Sequence, residues 1–128
     1  MEYRTASTKP DLVAPDGSRI TLLSTSLAGG SMVLCTLHPG AVTRPMRHTS
    51  VEEMWHVIGG QGRLWRRMVD RESTVDLSPG VSVTIPLGAS FQFRCDGDRP
   101  LEIIIATMPP WPGDHEAIPS AGPWDPAV

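Results

Sequence analysis

The 128-residue sequence lacks most of what a crosslinked, membrane-spanning or nucleic-acid-binding protein requires. It has two cysteines, Cys35 and Cys95, which allow at most one bridge. Its opening Met1-Glu2-Tyr3-Arg4 lacks the basic-then-apolar layout of a secretory leader, so both thiols are expected to be reduced in a cytoplasmic protein. No apolar run approaches the ~20 residues of a spanning helix, and no membrane partner is expected. The net charge is -3. That leaves no cationic excess with which to neutralise phosphates, so no nucleic-acid partner is expected either. Helical periodicity is also missing. No window keeps apolar residues at i, i+3, i+4 and i+7 for three turns without a Gly, a Pro or a β-branched cluster.

What the chain does have is punctuation. Thirteen prolines and twelve glycines lie between short apolar stretches, the pattern of many short strands and turns. Pro15-Asp16-Gly17-Ser18 reads as a turn. Strands are expected over Arg19–Thr25, Ser31–His38 and Ala41–His48, the last made irregular by Pro45. Glu52–Ile58 and Arg63–Met68, separated by Gly59-Gly60-Gln61-Gly62, read as a hairpin. Further strands are expected over Ser73–Leu77, Val81–Ile85, Phe91–Cys95 and Leu101–Met108. The last is nearly all apolar, so it is expected to be buried on both faces or at a subunit contact.

From Pro109 the composition shifts to proline, with Trp111 and Trp124. A disordered tail would rarely keep two tryptophans. Residues 109–128 are therefore expected to form an extended C-terminal extension packed on a body of residues 1–108, with the indoles as anchors.

Two spaced patterns carry a family resemblance. The first is Gly40, five residues, Met46-Arg47-His48, four residues, Glu53, six residues and Gly60. The second is Gly80, five residues, Pro86-Leu87-Gly88, two residues, Phe91, three residues and Cys95. Together they resemble the two motifs of the cupin superfamily, over roughly residues 18–108. The resemblance implies an all-β cupin barrel, a double-stranded β-helix of jelly-roll type, and a homodimer. In metal-binding cupins the corresponding positions hold three histidines and a glutamate around one divalent ion. Here those positions are Met46, His48, Glu53 and Phe91. A thioether binds hard ions poorly and a phenyl ring not at all, so no metal cofactor is expected. A divalent ion held by His48, Glu53 and an unrecognised third ligand is the rival.

Strand alternation sorts the neighbours. An inward His48 implies an inward Met46, and an inward Arg44 if Pro45 does not reset the register. An inward Glu53 implies Trp55 inward, with Met54 and His56 outward, and Phe91 implies Phe93. The expected substrate pocket is Arg44, Met46, Trp55, Phe91 and Phe93 around His48 and Glu53, suited to a small, partly apolar metabolite. His48 with Glu53 beside it forms a candidate acid–base unit, with His48 as base or acid and Glu53 orienting it. That chemistry suits a lyase, isomerase or cyclase. The alternatives are a metal-dependent, dioxygenase-like enzyme and a non-catalytic small-molecule-binding barrel, in which the two residues only bond each other.

Overall fold

The computed structural model describes residues 1–128. The strands are β1 (Leu12–Val13), β2 (Arg19–Ser24), β3 (Ser31–Leu37), β4 (Met46–His48), β5 (Glu52–Gly59), β6 (Gly62–Met68), β7 (Arg71–Leu77), β8 (Ser82–Ile85), β9 (Ser90–Cys95), β10 (Leu101–Met108) and β11 (Ala117–Pro119). A 3-10 turn covers Asp114–Glu116, and there is no α-helix. No helix is long and apolar enough to cross a membrane. One sheet runs β1-β2-β3-β10-β5-β8 and the other β11-β4-β9-β6-β7. Every pairing is antiparallel. This is the all-β, two-sheet architecture of a cupin barrel.

Alternation builds the core. Along β5, Glu53, Trp55 and Val57 are buried while Glu52, Met54 and His56 are exposed. Along β10, Leu101, Ile103, Ile105 and Thr107 are buried, and Glu102, Ile104, Ala106 and Met108 are half-buried. Within the chain, the outer face of β10 is therefore only partly covered. The strand covered on both faces is β9. Its Phe91 and Phe93 point into the core, and its outward Gln92 is also fully buried, under the C-terminal segment.

Two sequence expectations fail for identifiable reasons. β5 and β6 do not form a hairpin: they lie in different sheets, and β6 pairs with β7 and β9. The glycine turn between them carries the chain from one sheet to the other. Gly60 takes φ 80°, and a Cβ there would lie 2.3 Å from the Pro100 carbonyl oxygen, so only glycine fits the crossing. The strand expected over Ala41–His48 is regular only at Met46–His48. Pro45 cannot donate to a ladder, and two residues, Arg44 and Pro45, separate the buried Thr43 from the buried Met46. The register is reset there, and Arg44 is exposed.

The last twenty residues are woven into the second sheet. After a cis Met108–Pro109 bond, the chain crosses the cavity region and adds β11 to β4, with Ala117 opposite His48 and Pro119 opposite Met46. Gln92 Nε2 donates to the carbonyls of Thr43 and Trp124, both at 2.8 Å. The Trp124 amide donates back to Gln92 Oε1 at 3.1 Å. The Arg94 guanidinium lies 4.6 Å from the Trp124 ring centroid, a cation–π contact.

Candidate functional site

β4, β5 and β9 aim their inward side chains at one cavity of about 190 Å3. Met46 and Phe91 are direct cross-strand partners. His48 follows Met46 by two residues on the same face, as Trp55 follows Glu53 and Phe93 follows Phe91. All six line the cavity. Arg44 does not: it projects outward, and its Nη1 donates to the Pro15 carbonyl at 3.3 Å. The aromatic rings interlock at steep angles. Trp55 meets Phe91 at 90° with centroids 5.8 Å apart, and Phe93 at 73° and 4.9 Å. These are the edge-to-face arrangements that aromatic quadrupoles favour.

Glu53 and His48 face the same cavity but are not hydrogen-bonded to each other, and no ion pair joins them. The reason lies in the register. Thr107 sits directly opposite Glu53 across β10, and Trp55 is its same-face neighbour on β5. These two take the carboxyl: Trp55 Nε1 donates to Oε1 at 3.0 Å and Thr107 Oγ1 to Oε2 at 2.9 Å. Burial raises the Glu53 carboxyl to about 7, against the lowering effect of those two bonds and with a further push from Asp16. Burial lowers His48 to about 4, although the Glu116 carboxylate pulls the other way. His48 is 4% exposed, and its Nδ1 is buried without a partner. Its ring packs against Phe91 at 5.0 Å and Trp111 at 5.3 Å.

Several cavity residues were not visible as such in the sequence. Asp16 sits in the Pro15–Ser18 turn, where a solvated side chain is the ordinary expectation. Instead it is buried, and its Oδ1 accepts from the amide and hydroxyl of Ser18 at 2.8 and 2.7 Å. Burial raises its carboxyl above the ordinary value. Trp111 and Asp114, from the C-terminal segment, also line the cavity, so Trp111 is part of the pocket wall. Burial pushes the Cys35 thiol, also in the wall, strongly up, which leaves it neutral and a poor nucleophile. Trp65 lies away from the cavity, with Nε1 donating to Glu72 at 2.7 Å.

Glu116 fixes the loop between His48 and Glu53. Its Oε1 accepts from the amides of Thr49, Ser50 and Val51, and its Oε2 from the hydroxyls of Thr49 and Ser50. Burial alone would raise its carboxyl, but the Ser50, Thr49 and Val51 donors outweigh it and hold the group at about 2. An amide cannot satisfy both oxygens' donors, so Glu116→Gln should cost roughly 2–4 kcal/mol at neutral pH. The native pKa lies below the unfolded one, so the carboxylate's contribution is complete above about pH 4.5 and lost as pH falls towards 2. Urea unfolding of both proteins at pH 7 and pH 3 should show the gap narrowing in acid. A gap that stays constant would rule the carboxylate out as its source.

The donor set does not fit a hard divalent ion. No cluster of three or more His, Cys, Asp or Glu side chains is placed to hold one. Met46 and Phe91, a thioether and a phenyl ring, stand in the wall beside His48 and Glu53 where further ligands would be needed.

The model of a family described as "Cupin domain" matches residues 33–107. No curated protein matches. Among solved structures, a Bacillus halodurans protein, BH2720, is 20% identical with a TM-score of 0.60, over 66% of this chain and 65% of its own. Bacillus subtilis oxalate decarboxylase, a protein with Mn(II) centres, is 18% identical with a TM-score of 0.65, over 80% of this chain. CapF, solved with the inhibitor 3-isopropenyl-tropolone, is 19% identical with a TM-score of 0.65, over 79% of this chain. The chain spans only 28% of the decarboxylase and 31% of CapF, and at these identities the likeness is one of fold.

Proposed function

The chain belongs to the cupin domain family, and from that premise we propose that it is a metal-independent acid–base catalyst acting on a small, partly apolar metabolite, as a lyase, isomerase or cyclase. One observation carries the reading: two titratable side chains, His48 and Glu53, face a single aromatic-walled cavity. The roles differ from those the sequence suggests. The Glu53 carboxyl, at about 7, is matched to proton exchange at neutral pH, where general acid–base catalysis is most effective. His48, at about 4, is a neutral imidazole there, with one N–H to donate, and lines the same cavity. In the proposed step Glu53 takes a proton from a carbon next to a carbonyl. His48 stabilises the oxygen on which charge develops, and the proton returns to a second carbon or leaves with a departing hydroxyl.

A non-catalytic binding barrel is the second reading, favoured by the two bonds that already hold Glu53. Turnover of any ligand that binds separates the two. The metal-dependent rival is separated by composition. Protein purified without added metal should contain well under one equivalent of Mn, Fe, Ni or Zn by elemental analysis, and should keep its activity after chelation. Near-stoichiometric metal, removed together with activity, would overturn the proposal in favour of the metal-dependent enzyme.

A further inference from the structure

The cavity wall holds carboxyl groups and no cationic side chain. Asp16, Glu53 and Asp114 line it, and no lysine or arginine does. Arg44, whose charge acts on Asp16, is exposed outside the cavity and bonded to the Pro15 carbonyl. Trp55, Phe91, Phe93 and Trp111 line the same cavity. Their electron-rich faces attract cations and not anions. Hydrogen-bonding capacity is left over. Both Ser18 bonds to Asp16 fall on Oδ1, and each Glu53 oxygen accepts one bond although a carboxylate offers about four sites in all. His48, 4% exposed, adds a buried Nδ1 that bonds nothing within the chain.

We propose that the cavity receives a small organic cation, a protonated amine on an apolar body of about one six-membered ring. The inference rests on the reading of the cavity as a small-molecule site and adds the ligand's charge and size. Size follows from volume: a cavity of about 150 Å3 holds one benzene ring, and this one measures about 190 Å3, leaving room for a ring with a one- or two-atom substituent. Charge follows from the wall. An anion entering would be stripped of water beside two buried carboxyl groups with no cation to meet it. An ammonium group would find carboxyl oxygens as acceptors, aromatic faces for its charge and the His48 nitrogen within the same wall.

Three probes of one shape and different charge decide the matter: benzylamine, benzyl alcohol and benzoate, titrated calorimetrically into the full chain at neutral pH. Benzylamine should bind at least ~10-fold more tightly than benzyl alcohol, and benzoate should show no binding. Glu53→Gln should weaken benzylamine at least ~10-fold and benzyl alcohol by much less; the ranking on the unmodified chain is decisive even if that variant does not fold. Benzyl alcohol binding as well as benzylamine, or benzoate binding best, would overturn the cation assignment and leave the acid–base reading standing. No heat from any probe at millimolar concentration would overturn both.

Discussion

Deletion of residues 109–128 should lower the unfolding free energy by about 5 kcal/mol or more, the largest stability change expected for this chain. The truncation removes more than two indoles. It strips β11 from β4, leaves the Thr49, Ser50 and Val51 amides without the Glu116 carboxylate, and uncovers Gln92, whose side chain loses its Trp124 partners. Each exposed aromatic contributes at ~25 cal/mol per Å2 of lost burial, and each lost charged hydrogen bond adds ~1.5–3 kcal/mol. Against this stands the entropy regained by twenty released residues, which keeps the net effect well below the sum. Urea denaturation gives the measurement: the midpoint should fall sharply and the slope should decrease with the smaller buried surface. A midpoint within error of the full chain would mean that the segment docks without stabilising the barrel.

The second large effect concerns turnover. Glu53→Gln keeps the shape and removes the proton-exchanging group, so the rate should drop at least ~10²-fold, the usual scale for a lost acid–base residue. His48→Gln should also reduce it, through loss of the imidazole that faces the substrate. Where the carboxylate form of Glu53 is the base, the wild-type rate should rise with pH through about 7.

Stability gives an independent check on the same group. The Glu53 carboxyl is raised above its unfolded value, so its contribution is complete below about pH 4.5 and is lost as pH rises through about 7. As pH rises from 5 to 8 the stability of Glu53→Gln relative to wild type should therefore increase, on top of a pH-independent offset for the acceptor that Trp55 or Thr107 loses. His48 acts in the opposite direction: kept neutral by burial, it weakens the fold as pH falls from 6.5 towards 4. A Glu53→Gln variant that retains most of the wild-type rate would end the assignment.

The strands were legible because period-two alternation and glycine–proline turns are local signals, and β5 and β10 show them plainly. For the same reason six of the seven expected pocket and acid–base residues fall in the cavity. Arg44 fails because Pro45 breaks the parity on which its placement depended. The hairpin reading of β5 and β6 fails because a glycine turn fixes a change of direction but not which sheet receives the next strand. The contacts that matter most around the site are long-range and leave no local trace. Glu116 bonds backbone amides 65 to 67 residues away, and Asp16 is turned inward from a turn that looks solvated. The separation of His48 from Glu53 depends on Thr107, whose position opposite Glu53 is a matter of sheet register alone.

Trp111 walls the cavity, and five residues later Glu116 fastens the same segment to the loop after His48. The roof of the pocket and the latch of the tail are thus one piece of chain, so whatever fills the pocket must share its binding energy with the docking of that piece. A protease that cuts between Pro109 and Asp114 would then act as a gauge of occupancy. Cleavage should slow as ligand saturates the chain, by the factor through which the ligand suppresses local opening. An unknown collection of compounds can be ranked in this way before any reaction has been identified.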